Sequence, residues 1–375
     1  MRVLLLAGEL SGVQYADGIA ERLRARVGSV EIRGYQSEGY ATSDLAVMGF
    51  WPVLRRIFFF LRVKRTMERV IDAWRPDVVC TVDYPGLNLK LAAYAKARGI
   101  RAVHVVSPQV WAWKKGRIPK IEASLDRLCC FFPFEPALFR PGLGVFVGHP
   151  LAYDFAPLER TPPTDARRLV AVLPGSRMGE IDKILPTLLT VVERLVAKYG
   201  EGVRCVIPAA GEQAERRIRE LVAQLPEGCC EVRCGGARAL LLQADCAVVA
   251  SGTATLEAAL ALCPTVLVYR VSAALAAFAR WAIRDIRHVG LANIVAEKTN
   301  LEPPMPELLQ EAFTADAVFS HLDAWLTNPA ARRETVDRLA AVVATLKTSA
   351  DPLSNVVDSL AEPLPESAAP HGPAL

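Results

Sequence analysis

Short runs of hydrophobic residues alternate with amphipathic, helix-like stretches along most of the chain. Runs such as Val3–Ala7 and Val78–Val82 are apolar at nearly every position, whereas the stretches between them repeat their hydrophobic residues at helical spacing. Nearly continuous apolar strands are typical of a parallel sheet that helices cover on both faces. The pattern therefore predicts an α/β protein with doubly wound, Rossmann-like architecture.

The alternation stops between residues 153 and 168, where prolines and charged residues replace the hydrophobic runs, and then starts afresh. We expect two Rossmann-like domains, 1–155 and 169–313, whose ligand loops lie at the carboxyl ends of their strands and face a common cleft. Residues 314–347 have helical periodicity and are expected to cross back to the first domain. Residues 354–375 are rich in Pro, Ala, Ser and Glu and are expected to be disordered.

Composition narrows the class of protein further. A chain of 375 residues that is 52% hydrophobic and 22% charged can form two cores of ordinary size. The net charge is only +4, and the basic residues lie among bulky apolar ones, which does not favour nucleic acid binding. The nine cysteines lack zinc-site spacing, so no metal site is expected among them. No cofactor is expected either. The apolar N-terminus is interpreted as a first strand, which favours a cytoplasmic location.

Two glycine-containing segments, Leu173–Glu180 and Ala250–Glu257, each follow a predicted strand and open a predicted helix. Backbone amides at helix N-termini bind phosphate. Each segment alone is also compatible with an ordinary turn of an α/β protein, but the pair favours a single site for an anion. Arg177 suits a diphosphate, and Glu257 suits the two hydroxyl groups of a ribose. The two segments together indicate a nucleotide-sugar site.

A stretch that interleaves aromatic and basic residues, 50–69, suggests contact with a membrane surface. Its apolar run is much shorter than the roughly 20 residues that a membrane span needs. A core helix with a solvated basic edge is the alternative. The tryptophans of 111–117 form a second such cluster, suited to an acyl chain, with core packing as the alternative. The candidate membrane or acyl-chain residues are Trp51, Arg55, Arg56, Phe58, Phe59, Phe60, Trp111 and Trp113.

Seven segments carry a more specific signal, namely Ala7–Gly12, Asp44–Gly49, Val105–Trp113, Phe132–Glu135, Phe146–Leu151 and the two glycine-containing segments. In this order they resemble the signatures of the bacterial lipid-A-disaccharide synthase family, over residues 1 to 310. The resemblance implies an inverting glycosyltransferase of the two-domain GT-B type that needs no metal. Its expected substrates are UDP-2,3-diacylglucosamine and 2,3-diacylglucosamine 1-phosphate (lipid X). Its expected location is peripheral, on the cytoplasmic face of the inner membrane.

An inverting transfer needs a base at the acceptor hydroxyl and cations or dipoles at the departing diphosphate. Asp83 follows a buried strand and matches the family's general base, although an aspartate that caps the next helix is the alternative. The expected donor-binding residues are Ser176, Arg177, Ser251, Gly252, Thr253, Thr255, Glu257, Tyr269 and Asn293. On the acceptor side we expect Glu9, Ser11, Gly12, Asn88 and His149, of which His149 is equally compatible with a hinge.

Two positions and two segments depart from the family pattern. Val13 stands where the family has an aspartate, the segment 33–39 is shortened, Ala292 replaces a proline, and the loop 297–304 differs. These departures leave the nucleotide site intact and predict altered acceptor or acyl recognition. A UDP-sugar 2-epimerase and a non-catalytic nucleotide-sugar or lipid-binding relative remain alternatives, and homodimer formation is left open.

Overall fold

The computed structural model describes residues 1–45, 57–112, 115–155, 158, 160, 167–271 and 287–362. The chain divides into two compact units, one formed by 1–150 together with 348–375 and the other by 151–347. Each unit is built on one six-stranded sheet. The expectation of two doubly wound α/β domains is confirmed.

The first unit contains a parallel sheet of strands β1 to β6, in the order β2-β1-β3-β4-β5-β6. β1, β3 and β4 are buried along their whole length apart from the first residue of β1, as expected for strands covered on both faces. The strands are Arg2–Ala7, Glu31–Arg33, Val78–Val82, Arg101–Val105, Arg127–Cys130 and Gly144–Phe146. The strand order reverses between β1 and β3, so this point is the place where a doubly wound sheet binds ligands.

Helices cover both faces of this first sheet. One face packs against α1 and the last of the described helices, and the other packs against α3 and α4. The helices of this unit are α1 (Leu10–Val27), α2 (Thr42–Leu45), α3 (Ile57–Trp74), α4 (Pro85–Lys96), α5 (Ile118–Ser124) and the beginning of α6 (Pro150–Phe155).

The second unit repeats the arrangement with strands β7 to β12, in the order β12-β11-β10-β7-β8-β9. Here the order reverses between β7 and β10. The strands are Arg168–Leu173, Val203–Ala209, Glu231–Cys234, Cys246–Ala250, Thr265–Tyr269 and Glu307–Leu309. The helices are α7 (Met178–Tyr199), α8 (Glu212–Val222), α9 (Ala237–Gln243), α10 (Thr253–Leu260), α11 (Leu291–Lys298), α12 (Ala315–Thr327) and α13 (Pro329–Thr345).

The C-terminal region differs from the expectation. α12 packs on α7 and α13 packs on α10, so residues 315–345 belong to the second unit. The helix that packs on the first unit is α14 (Pro352–Ala361), in the region that composition marked as disordered. Asp351 accepts a hydrogen bond from the Ser354 N–H at 3.0 Å and caps this helix, and Val356, Val357 and Leu360 lie in the first core. Residues 363–375 lie outside the described residues.

Candidate functional site

A pocket of about 340 Å³ opens at the strand-order reversal of the second sheet. The loops after β7 and β10 contribute to it, as the sequence predicts for the two glycine-containing segments. Loops after β8 and β9 complete it. The lining residues are Leu173, Gly175, Ser176, Glu180, Pro208, Ala209, Ala210, Gly235, Gly236, Ala237, Ala250, Ser251, Gly252, Thr253 and Ala254.

The loop after β7 requires glycine at position 175. Gly175 has φ of +109°, and a Cβ atom there would lie 2.6 Å from Oε2 of Glu180. The backbone can therefore turn tightly from the strand into α7 only without a side chain. This turn places Ser176, which is exposed, at the start of a 22-residue helix, where backbone amides are available to an anion.

The loop after β10 is held by contacts within itself and with the next strand. The Ser251 N–H donates to the Val268 carbonyl at 3.0 Å, and the buried Thr255 hydroxyl donates to the Gly252 carbonyl at 2.8 Å. Gly252 and Thr253 are exposed at the pocket. Thr255 therefore supports the loop, whereas Ser251, Gly252 and Thr253 line the pocket.

Arg177 lies beside the pocket, at the N-cap of α7. Its side chain is 73% exposed, and its Nη1 lies 3.0 Å from Oε1 of Glu180, which lines the pocket. An exposed ion pair of this kind contributes little to stability. The guanidinium can therefore exchange its carboxylate partner for a phosphate at small energetic cost.

Besides Arg177 and Thr255, three more residues expected at the donor are outside this lining. Glu257 is half-buried, with Oε1 3.5 Å from Nη2 of Arg238, and Tyr269 is half-buried at the end of β11. Asn293 is fully buried, and its amide donates to the Met305 carbonyl and to Glu307 Oε1, both at 2.8 Å. The Asn293 side chain thus bonds to its own chain.

The loops after β8 and β9 were missed in the sequence. Pro208–Ala210 and Gly235–Ala237 are apolar or small, and they offer no side-chain chemistry to search for. Gly235 and Gly236 have φ of +70° and +74°, a conformation that favours glycine. The position of both loops at strand ends next to the reversal point is the signal that could have located them.

In the first unit, Asp83 directly follows β3 at the corresponding reversal point. Its N–H donates to the Val105 carbonyl at 2.9 Å, and its Oδ1 accepts from the Tyr84 N–H at 2.8 Å. Asp83 and Tyr84 have φ of +49° and +52°, so two consecutive residues with side chains adopt the left-handed conformation. Such residues cost of order 1–3 kcal/mol each and cluster at functional sites.

Burial raises the pKa of Asp83 above its usual value, although the hydrogen bond from the Tyr84 N–H opposes this shift. The pKa of Glu9 is raised by burial and then by the charge of Asp83. Glu9 follows β1, so the strands on the two sides of the reversal point each contribute one carboxylate. A carboxylate with a raised pKa is a stronger base than one in water, which suits it to accept a proton.

Ser11 and Gly12 lie in the first turn of α1, next to Glu9. Ser11 is exposed, whereas Gly12 is buried, where a Cβ atom would lie 3.5 Å from the Val82 carbonyl. Val13 packs against the first core. Asn88, also expected here, is fully buried under the Asp83 turn and bonds to backbone carbonyls.

His149 and Trp111 are both buried in an aromatic cluster beyond β5. The Trp111 indole donates to Glu135 Oε1 at 3.2 Å, and its ring lies edge-on to Phe134. The His149 ring is 5.2 Å from that of Phe132, and burial lowers the pKa of His149 to about 4. Trp111 is only 5% exposed, so it lies in the core of the first unit. Core packing was the alternative to an acyl-chain contact for this tryptophan.

The beginning of α3 shows which aromatic residues of the basic stretch are accessible. Phe58 is 82% exposed, and Ile57 and Leu61 are also exposed. Phe59 and Phe60 are half-buried and pack near Tyr40 and Tyr84, with ring centroids 5.9 and 6.3 Å apart. Four residues of the predicted membrane or acyl surface, Trp51, Arg55, Arg56 and Trp113, lie outside the described residues.

Among the described helices, none is long and apolar enough to cross a membrane. The described ranges also contain no group of three or more His, Cys, Asp or Glu side chains that could hold a metal ion.

The fold and the pocket define a class of protein with two Rossmann-like units, one of which has an anion-suited pocket at its strand-order reversal. MurG from Acinetobacter baumannii has this fold, with a TM-score of 0.58 and 17% identity over 96% of this chain and 98% of its own. So does a UDP-GlcNAc 2-epimerase from Neisseria meningitidis bound to UDP-GlcNAc, with a TM-score of 0.58 and 12% identity over 96% and 99%. At these identities both likenesses concern the fold alone.

The sequence comparisons are more specific. Residues 3–355 match the family described as Lipid-A-disaccharide synthetase. A lipid-A-disaccharide synthase from Chromohalobacter salexigens is 37% identical over 381 residues, covering 96% of this chain and 97% of that protein. The chain belongs to the lipid-A-disaccharide synthetase family, which confirms the resemblance drawn from the seven sequence segments.

Proposed function

We propose that this protein condenses UDP-2,3-diacylglucosamine with lipid X, giving lipid A disaccharide 1-phosphate and UDP. Family membership over nearly the whole chain supports a glycosyltransferase that forms the lipid A disaccharide. The epimerase resembles this chain only in fold. The pocket at the reversal point of the second sheet is the observation that carries the proposed donor site.

In this proposal the UDP diphosphate lies against the loops that begin α7 and α10. The exposed Ser176, Gly252 and Thr253 face it with hydroxyl and backbone N–H groups, and Arg177 exchanges Glu180 for a phosphate oxygen. The loops after β8 and β9 enclose the nucleoside. Thr255 and Asn293 support the binding loops instead of touching the donor. Glu257 and Tyr269 remain proposed contacts to the ribose and to the uracil or sugar.

Asp83 is the proposed general base, acting beside Glu9. It takes the proton from the 6-hydroxyl of lipid X as that oxygen attacks the anomeric carbon of the donor. The new C–O bond forms on the face opposite the diphosphate, the bond from the anomeric carbon to the UDP oxygen breaks, and UDP leaves with the bonding electrons. Inversion at the carbon gives the β(1→6) linkage. Positive charge and amides at the diphosphate stabilise the departing group.

The exposed start of α3 is the proposed contact with a membrane surface. Ile57, Phe58 and Leu61 are exposed apolar groups, and Arg62 and Arg65 are exposed cations on the same helix. Apolar side chains at the headgroup boundary combined with nearby cations are typical of peripheral binding to anionic lipid. Phe60 packs near Tyr84, so this end of α3 lies next to the Asp83 turn, where a lipid acceptor is needed.

The test is incubation of the protein with both lipid substrates in detergent, with the disaccharide measured by mass spectrometry. Replacing Asp83 by Asn should lower turnover by at least about 100-fold, the usual contribution of a general base. Binding of UDP, measured by calorimetry, should be unchanged. Asp17→Asn, an exposed change on α1, is the matched control. Full turnover by Asp83→Asn would remove Asp83 as the base, and absence of disaccharide with the natural sequence would overturn the function.

A further inference from the structure

The turn formed by Asp83 and Tyr84, the Asp83 turn, is supported from below by the hydrogen bonds of one buried side-chain amide. Asn88 is 0% exposed, in the first turns of α4. Its Nδ2 donates to the carbonyl oxygens of Asp83 at 2.8 Å and Val82 at 3.1 Å, and it lies 3.2 Å from that of Leu6. These carbonyls belong to the ends of β1 and β3 and to the turn itself. One side chain therefore joins both strands at the reversal point to the proposed base.

The other end of the amide is also satisfied. Oδ1 of Asn88 accepts a hydrogen bond from the Tyr35 hydroxyl at 2.7 Å, and Tyr35 is itself 0% exposed. The three carbonyls can only accept, so they fix Nδ2 as the end of the amide that faces them, and the Tyr35 hydroxyl donates to the other end. The Nδ2 hydrogens therefore point toward the three carbonyls, an arrangement that neither Asp nor Leu can reproduce at this position.

The turn needs such support because its backbone is in an unfavourable conformation. Asp83 and Tyr84 both have positive φ, and neither residue favours that region as glycine does. Such a conformation persists only where the surroundings hold it. The Asp83 carbonyl held by Asn88 and the Asp83 N–H held by the Val105 carbonyl fix the peptides on both sides of the carboxylate. With these peptides fixed, the Tyr84 N–H meets Oδ1 of Asp83.

We propose that Asn88 is a positioning residue for the reaction: with Tyr35, it holds the Asp83–Tyr84 turn in the left-handed conformation that aims the Asp83 carboxylate. The proposal rests on the proposed function in that Asp83 is taken as the base. Asn88 itself touches no substrate, because all its side-chain contacts are to the protein interior. This assignment replaces its expected place among the acceptor-binding residues.

The experiment compares Asn88→Ala and Tyr35→Phe with the natural protein. Asn88→Ala removes the amide and should lower kcat by at least tenfold, with the KM for the UDP-sugar and the affinity for UDP unchanged. The acidic limb of the kcat/KM profile should move to lower pH, because a relaxed turn exposes the Asp83 carboxylate to water. Tyr35→Phe keeps the ring and loses only the hydroxyl. It should therefore lower kcat and move the acidic limb in the same directions, but by smaller amounts.

The control is Ile121→Ala, which makes a cavity in a separate core cluster of the first unit that includes neither Tyr35 nor Tyr84. It should lower stability without moving kcat or the pH profile. A folded Asn88→Ala with natural kcat and pH profile would overturn the proposal. If Asn88→Ala does not fold, Tyr35→Phe decides: natural values in that variant also overturn it. Loss of turnover in Asp83→Asn, together with full turnover in the Asn88 variant, would refute the positioning role and leave the proposed base intact.

Discussion

Arg177 is a residue whose partner in the structure differs from its proposed partner in the reaction. Its guanidinium pairs with Glu180 in solvent, and such a pair contributes little free energy. A phosphate on the same group gains a charge-assisted hydrogen bond, which is stronger. The ion pair therefore holds Arg177 near the pocket without occupying it permanently.

Replacing Arg177 by Ala should weaken UDP binding by at least about tenfold, since a hydrogen bond to a charged group contributes about 1.5–3 kcal/mol. Isothermal calorimetry with UDP measures this directly. Arg194→Ala is the matched control because Arg194 lies on the same helix and pairs with Asp316 on the surface. Equal UDP affinity in the Arg177 variant and the control would contradict the phosphate contact.

His149 gives a pH-dependent contribution to folding. Burial lowers its pKa to about 4, below that of an unfolded histidine. Because the unfolded chain binds the proton first, the fold loses stability as the pH falls from the unfolded value of about 6.5 toward the folded value. From this group alone, the free energy of unfolding should decrease by about 2 kcal/mol between pH 7 and pH 5.

Urea unfolding at both pH values measures the change, with His149→Phe as the comparison because it keeps an apolar ring in the cluster. The variant should lose less stability on acidification than the natural protein. The same loss in both proteins would show that His149 does not titrate with the expected sign.

At the scale of elements, α3 has two different sides. Val63, Met67 and Ile71 are buried in the first core, whereas Phe58, Arg62 and Arg65 are exposed to solvent. The sequence left a membrane-facing stretch and a core helix as alternatives, and the structure shows that one helix has both a core face and an exposed aromatic and basic face. Core packing accounts in part for the aromatic side chains of Phe59 and Phe60, which are half-buried. It does not account for Phe58, which is exposed.

Phe58→Ser should weaken binding to vesicles that contain anionic lipid by about tenfold, because burying a Phe side chain contributes about 1.5–3 kcal/mol. Cosedimentation of the protein with vesicles is the measurement. Val289→Ser removes an exposed apolar side chain from the second unit and is the matched control. Unchanged cosedimentation of the Phe58 variant would show that this face does not bind the membrane.

At the scale of the whole molecule, the chain leaves the first unit at Pro150, completes the second unit and returns at Thr348. The returning helix α14 packs on the first sheet together with α1, and Arg22 pairs with Asp351 across the contact. The core of the first unit is therefore complete only when α14 is in place.

Deleting residues 348–375 should destabilise the first unit, because Val356, Val357 and Leu360 would leave their core positions. Each buried side chain of this size contributes about 1.5–3 kcal/mol, so we expect unfolding at clearly lower urea concentration. Deleting only 363–375 is the control and should leave the midpoint nearly unchanged. Equal midpoints for the two truncations would contradict a structural role for α14.

The sequence by itself determined the two series of apolar strands and amphipathic helices, and thereby the position of Asp83, Ser176 and Ser251 at strand ends. Local patterns suffice for this, because the signals for buried strands and helix starts lie in neighbouring residues. The sequence also indicated the family, because the family's signatures are short continuous segments.

Only the tertiary structure decided which of these residues meet. Asn88 bonds to Tyr35, which is 53 positions away, and to Leu6, which is 82 positions away. The sequence predicts Asn293 at the donor and leaves Trp111 either at an acyl chain or in the core, and partners from other elements bury both. The composition of the C-terminal region did not indicate α14, because this helix is stabilised by packing its apolar face on the first sheet. Contacts between distant segments depend on how strands are ordered in the sheets, and no local pattern encodes that order.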